Sequence, residues 1–288
     1  MAELYVNNNG ALLPASQPTI HTGSRAFLYG DGLFETIRII NGYPINIDNH
    51  FNRIVQGAKA LKLRLPVYFT VDFIRAKILE LIEKSEITGG GKCRLSIDRI
   101  SGGTYTPEAN EITYFIEVNP YVSNYFDLNP KGLEIDIFQN LKKQNNFLAN
   151  FKTKNALPNV LTSIFAQEKG LDDYLMTNEK GVILESSNSN IFIVSNGVLY
   201  TPSLEDGCVG GTMRMQVINL SLQNKMRVYE CSIMPQNLLS ADEIFFTNAI
   251  KGVFWVGGYR TKRYENVYAK RMLTLLNNHW KSELEKLG

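Results

Sequence analysis

Apolar and polar residues change rhythm repeatedly along this 288-residue chain. Near the start, LYV followed by NNNG predicts a strand and a turn. FETIRII, residues 34–40, alternates closely enough to be a strand, and Asn41–Gly42 behind it signals a hairpin. Asp48 can cap a helix whose apolar stripe is Phe51, Ile54, Val55, Ala58 and Leu61. A second helix is expected over 71–84, with Ile74, Ile78, Leu81 and Ile82 on one side. Two strands, CRLSIDRI and ITYFIEV, follow and are joined by the Gly-containing stretch SGGTYTPEANE. The stretch NPYVSNYFDLNPKG has two prolines and little periodicity, which marks a linker. The division that results is a small N-terminal α/β domain over 1–120, a linker over 121–132 and a larger C-terminal domain over 133–288.

The second part begins with the strand LEIDIF. A helix starts near Pro158, whose missing N–H has no helical partner in a first turn, and stops at Gly170. Strands are expected at DYLMT, GVILE, NIFIV and VLYT, with Asn196–Gly197 as another hairpin turn. The helix MRMQVINLSLQNK follows a Gly pair, strands RVYEC and EIFFT come next, and a helix over 264–287 ends the chain. Strands and helices mixed in both halves predict an α+β (mixed α/β) fold of two domains.

Composition narrows the chemistry. Thirty Lys plus Arg against 28 Asp plus Glu leave a net charge of +2, unlike the basic footprint of a nucleic-acid or membrane-surface binder. Three cysteines at wide spacing form no CxxC, and three scattered histidines give no metal-ligand pattern, so no metal is expected. The first residues lack a basic region followed by an apolar core, and no run of 18 apolar residues occurs, so a cytoplasmic, soluble protein is expected. There is no GxGxxG, no HExxH and no GxSxG, and the GGGK at 89–92 lacks the rest of a phosphate loop. Catalysis is left to Lys, Arg, Glu, Asp, Tyr and backbone groups.

Several local patterns could supply it, and each also fits an ordinary structural reading. Glu185, in VILESSNSNIFIV, lies between two apolar segments, where a carboxylate needs a partner; a solvent-facing turn is the plain alternative. GCVGGTMR places two glycines before a helix, leaving backbone N–H groups free for an anion, or is simply a Gly-rich loop with Thr212 as cap. FKTKN offers Lys152 and Lys154, either of which could form a Schiff base or lie on the surface. In RAFLYGDGLFETIR a tight turn brings Tyr29 and Phe34 near one another, as a ligand wall or as core. Periodicity alone makes Arg53 exposed, on the far side of its helix from the apolar stripe. FTNAIKG reads as a strand end, a possible second anion cup and a helix start.

Together these parts match what a pyridoxal phosphate site needs: a lysine, an acid for the ring nitrogen and a phosphate cup. The chain resembles the class IV aminotransferases, fold-type IV pyridoxal phosphate enzymes that include branched-chain and D-amino acid aminotransferases and 4-amino-4-deoxychorismate lyase. The resemblance runs through YGDGLFETIR, NHFNRI, FKTKN, VILESSNSNIFIVSNGVLYTPSL, GGTMR and SADEIFFTNA, and covers nearly the whole chain. It implies that Lys152 is the Schiff-base lysine, preferred to Lys154 because the family usually has a non-basic residue at the latter position. It further implies that Glu185 pairs with the pyridine nitrogen and that Arg53 reaches the phosphate, overturning its exposed reading. Gly211, Thr212, Met213 and Asn248 would complete the phosphate cup. Tyr29, Phe34 and Arg38 would be substrate-side wall residues, and Arg94 would meet a substrate carboxylate.

The resemblance also implies a homodimer acting on a small amino substrate. This chain has Leu157 where branched-chain enzymes carry a tyrosine, and Met213 and Asn248 where they carry threonines. TPSLEDGCVGGTMR and TNA are closer to the lyase branch, so the expected reaction is release of pyruvate and 4-aminobenzoate from aminodeoxychorismate. The alternative is an aminotransferase for branched-chain or D-amino acids. A non-catalytic binding protein on the same fold is more remote, because Lys152 and Glu185 are retained.

Overall fold

The computed structural model describes residues 3–17 and 20–286. Leu287, the expected last residue of the final helix, lies outside the described residues. The chain divides into two compact units, Met1–Tyr125 with Phe151–Asn155, and Phe126–Asn150 with Ala156–Gly288.

The first unit carries β1 (Tyr5–Asn8), β2 (Ala11–Pro14), α1 (Arg25–Tyr29), β3 (Gly32–Ile40), β4 (Tyr43–Pro44), α2 (Ile47–Ala60), α3 (Val71–Lys84), β5 (Gly91–Arg99) and β6 (Ile112–Pro120). Its six strands form one antiparallel sheet in the order β2-β1-β6-β5-β3-β4. Because side chains alternate along a strand, Leu33, Ile37 and Ile39 of β3 join Cys93, Leu95 and Ile97 of β5 in the core with Ile54, Ile74, Ile78 and Leu81 of the two helices. Asn41 and Gly42 both have positive φ, 49° and 76°, the geometry a two-residue hairpin demands and that Asn-Gly supplies. The cap of α2 is Asn46 in a left-handed conformation; Asp48, expected there, lies in the first turn. An acid in that turn still favours the positive helix end.

The segment 151–155 belongs with this sheet. Phe34 N donates to Lys152 O at 3.0 Å, Lys154 N donates to Gly32 O at 3.0 Å, and Leu33 bridges Thr153. This corrects the expectation that the C-terminal domain carries Lys152. Local sequence shows a turn before a helix, but backbone hydrogen bonds to β3, over a hundred residues earlier, fix the segment.

The second unit contains β7 (Leu133–Lys142), α4 (Leu157–Glu168), β8 (Asp173–Thr177), β9 (Ile183–Ser186), β10 (Asn190–Ser195), β11 (Val198–Thr201), α5 (Thr212–Gln223), β12 (Val228–Glu230), α6 (Pro235–Ser240), β13 (Glu243–Asn248), β14 (Gly252–Tyr259), β15 (Lys262–Arg263) and α7 (Val267–Glu285). Its sheet runs β12-β11-β10-β13-β14-β7-β8-β9, and β9 returns to β10 through the pair Asn190–Glu185, closing a ring of strands. Ile135, Leu175, Ile183, Ile191, Ile244, Phe246 and Val256 fill its core.

Two expectations fail here for physical reasons. No helix follows FTNAIKG: Asn248 Oδ1 accepts from Ile250 N and Lys251 N, which turns the chain straight into β14. The last helix starts at Val267, not Tyr264, because the buried carboxylate of Glu243 accepts from Tyr268 N and Ala269 N and so caps it there. Among the described residues no helix is long and apolar enough to cross a membrane. None of their His, Cys, Asp and Glu side chains forms a group that could hold a metal ion.

Candidate functional site

In the first unit the site is built on β3 and α2. The row Leu33, Glu35, Ile37, Ile39 faces the core, so Glu35 is a carboxylate in an apolar row and needs buried partners. His50 and Arg53, one helical turn apart on α2, provide them. Arg53 makes a two-pronged pair, Nε to Oε1 at 2.7 Å and Nη2 to Oε2 at 2.5 Å, and His50 Nδ1 donates to Oε2 at 2.6 Å. The proton belongs on Nδ1 because the carboxylate can only accept. Burial alone would raise the Glu35 carboxyl, but Arg53 and His50 outweigh it and hold the group at about 2. Burial lowers His50, more than Glu35 raises it, and the positive charges of Arg53 and Lys152 lower it further. The Arg53 side chain is 12% exposed, far from the exposed position its periodicity suggests.

Lys152 projects its Nζ to 4.4 Å from the Phe34 ring centroid, and the Arg94 guanidinium lies 3.9 Å from the same ring. Arg94 stands opposite Thr36 on β3 and Glu117 on β6, half-buried, with no carboxylate within salt-bridge distance among the described residues. Burial lowers the Arg94 guanidinium, while Glu117 and Asp98 raise it. Lys154 is held at 2.6 Å by Asp98, which fixes its side chain in place.

Tyr29 packs its ring against Tyr105 at 5.5 Å, under the Arg25 guanidinium, so the GDG turn does not pair it with Phe34. Arg38 is also not the wall residue expected of it. It is 1% exposed, donates to the carbonyls of Ser123 and Tyr125, and stacks on Tyr121 at 4.2 Å. Those carbonyls lie some 85 positions on, out of reach of a local reading.

In the second unit Glu185 is the penultimate residue of β9 and is 4% exposed. Its Oε1 accepts from Lys143 Nζ at 2.5 Å and its Oε2 from Val209 N at 2.8 Å. Asn190, opposite Glu185 on β10, donates to Val209 O at 2.8 Å, so the Val209 peptide units are gripped on both sides. Asn150 accepts from Gly210 N at 3.0 Å through its backbone and donates to Cys208 O at 2.7 Å through its side chain. The loop thus delivered ends at Gly211, the N-cap of α5; Thr212, read as a possible cap, is the first helical residue. A Cβ on Gly211 would stand 1.9 Å from Asn190 Oδ1, which explains glycine there. The N-terminus of α5, at Thr212 and Met213, is the positive end of its helix dipole. Asn248 donates to Ser189 Oγ at 2.9 Å, tying the TNA turn to the turn after Glu185.

Glu35, His50, Lys143, Ser189 and Asn190 escape a reading based on motifs. Glu35 left a signal, an acid in a core-facing alternation with His and Arg spaced three apart behind it. Lys143 left none, since two adjacent lysines at a strand end look like surface.

The first unit carries an amine-bearing lysine, and the second carries a buried carboxylate and a Gly-led helix N-terminus, the kinds of donor that a phosphorylated pyridine aldehyde takes. A family model described as amino-transferase class IV matches residues 32–258. The chain belongs to this family. Class IV aminotransferases depend on pyridoxal phosphate, and this enzyme shares that cofactor. The chain is 28% identical over 262 residues, 87% of each sequence, to a putative branched-chain-amino-acid aminotransferase of Methanocaldococcus jannaschii. It is 27% identical to an aminodeoxychorismate lyase of Bacillus subtilis, over 86% of this chain and 83% of the relative. The fold matches the branched-chain aminotransferase of Thermoproteus uzoniensis with a TM-score of 0.85 at 23% identity, covering 94% of this chain and 93% of that one.

Proposed function

We propose that this class IV enzyme is a 4-amino-4-deoxychorismate lyase, releasing pyruvate and 4-aminobenzoate. What carries the reading is the residue at the start of α4. Branched-chain aminotransferases resembling this chain place a tyrosine there; here Leu157 turns an apolar, 65% exposed side chain outward and supplies no hydroxyl. Met213 and Asn248, in place of threonines, point the same way.

When bound, pyridoxal phosphate supplies an electron sink for charge left on the substrate carbon. The protein's groups do the rest. Lys152 anchors the cofactor and moves the proton at the carbon bearing nitrogen. Lys154, whose Nζ is engaged by Asp98 at 2.6 Å, is less available as a nucleophile. Glu185 accepts from the ring nitrogen. In the second unit Gly211, Thr212, Met213 and Asn248 are the phosphate-holding residues, and in the first unit the resemblance assigns the same task to Arg53, aimed by Glu35. Arg94, half-buried and with no salt-bridged carboxylate among the described residues, receives a substrate carboxylate, with Phe34 as the surface beneath it. Tyr29 remains a candidate for the substrate side.

An aminotransferase for branched-chain or D-amino acids is the second reading, supported by relatives so named. The deciding experiment offers the purified enzyme aminodeoxychorismate alone and, separately, L- and D-amino acids with 2-oxoglutarate. Pyruvate release without a keto acid acceptor is expected; turnover only with the acceptor refutes the lyase reading.

The enzyme is further proposed to be a homodimer in the cytoplasm. Leu157, Val160 and Ile164 form an exposed apolar stripe along α4, and the three free cysteines suit a reducing compartment. Sedimentation at micromolar concentration should give twice the 32.6 kDa chain mass; a monomer there would refute the dimer.

A further inference from the structure

The acid assigned to the ring nitrogen has a cation of its own. Lys143 follows directly on β7, and its backbone N–H donates to Thr177 O at 2.9 Å, which fixes where its side chain begins. From there Nζ reaches Glu185 Oε1 at 2.5 Å and Ala149 O at 3.1 Å. The Lys143 side chain is largely buried, so the attraction is only weakly screened.

The other charged and titratable groups nearby have separate partners. Arg214 of α5 is paired with Glu230 at 2.6 Å and donates to Pro202 O. Asp206 accepts from Ser232, and Lys142 donates to Thr177 Oγ1. Cys208, beside Glu185, is pushed up to about 12, by burial first and by Glu185 second, so it carries no charge near neutrality. Among the described residues, Lys143 is therefore the cation in salt-bridge contact with Glu185.

A carboxylate has about four acceptor positions, so Lys143, the Val209 N–H and a ring N–H can share it. They do not share it without cost, because two cations on one carboxylate repel and each weakens the other's hold. We propose that Lys143 is a positioning residue that orients Glu185 and offsets its charge, limiting how firmly a proton is held on the cofactor's ring nitrogen. This rests on the reading that Glu185 faces that nitrogen. A less firmly protonated ring draws less charge away from the substrate carbon. That favours expulsion of a leaving group on the substrate over return of the proton to the cofactor, the partition a lyase requires.

The test compares wild type, K143M, K143R and E185Q reconstituted with pyridoxal phosphate carrying ring nitrogen-15. The expected result is that the K143M nitrogen resonance moves toward the protonated position. Its pH midpoint should shift upward, because removing Lys143 takes a repelling charge away from the protonated ring. K143R should stay with wild type, and E185Q should move the opposite way. A K143M spectrum that superimposes on wild type while E185Q still moves overturns the proposal. A nitrogen that does not respond to E185Q overturns instead the assignment of Glu185 beneath it.

If K143M fails to fold, K143Q takes its place in the same nitrogen-15 comparison, and a K143Q resonance that superimposes on wild type while E185Q still moves overturns the proposal in the same way.

Discussion

Replacing Glu35 by Gln removes one charge from the buried His50–Glu35–Arg53 cluster and changes little else in shape. The Glu35 carboxyl is held at about 2, against 4.5 for the free group. At 1.36 kcal/mol per unit, the difference is about 3 kcal/mol in favour of the folded, ionised form. The side chain is almost wholly buried, so solvent does not discount this. Removing one partner of such a cluster also takes the carboxylate away from Arg53, a loss within the range of about 3–5 kcal/mol for broken buried pairs.

The sign follows from the depressed value. Glu35's contribution is complete above about 4.5 and is lost as the pH falls toward 2. His50 is also depressed, so stability declines below about 6.5, where the unfolded chain takes up a proton that the folded one does not. At pH 7.5, above the ordinary imidazole value, the depressed His50 is neutral in both proteins, so the difference between them there reports Glu35. Native-state hydrogen exchange of β3 and α2 amides is the suitable assay, since it reads the first unit by itself in a two-unit chain. Glu35→Gln should lose about 3 kcal/mol of protection at pH 7.5, and the gap should close between pH 4.5 and 2. A gap below about 1 kcal/mol at pH 7.5, or one unchanged down to pH 3, would refute the reasoning.

Other consequences are as direct. Gly211→Ala should destabilise the second unit by about 1–3 kcal/mol and weaken cofactor binding, because its Cβ collides with Asn190. Gly210→Ala, whose Cβ has Asn150 O at 3.6 Å, should be tolerated; cofactor titrations of both variants separate the two. Arg94→Leu should raise KM for a carboxylate substrate about 10- to 100-fold, matching the loss of a charged hydrogen bond, with a smaller effect on kcat. Steady-state kinetics would contradict this if kcat alone fell. Cys208, buried and pushed up to about 12, should resist alkylation at pH 8 in the folded protein, where the less buried Cys231 reacts first; peptide mapping reads the order.

How much of this was legible in the chain depends on the range of the forces involved. Period-two and helical patterns located most of the sheet strands and α3, and the Asn-Gly pairs at 41–42 and 196–197 marked turns that their positive φ values show. These signals are local. The strand Gly252–Tyr259 was missed because its signal, an Asn side chain turning the chain, resembles a helix start. Lys152 was placed with its sequence neighbours, although hydrogen bonds to β3 hold it. Arg53 was legible only by resemblance, since its periodicity makes it exposed until Glu35 is known to lie beneath it. Arg38 was misplaced for the same reason, as the carbonyls that hold it come from a distant loop. The Lys143–Glu185 pair joins residues 42 positions apart, and no local pattern requires it.

The central claim is that Lys152 carries the cofactor. Borohydride reduction of the holoenzyme, digestion and mass mapping test it directly. The account predicts a phosphopyridoxyl group on the peptide containing Lys152, and none after Lys152→Ala. Label on Lys154, or on any other lysine with Lys152 intact, would contradict it.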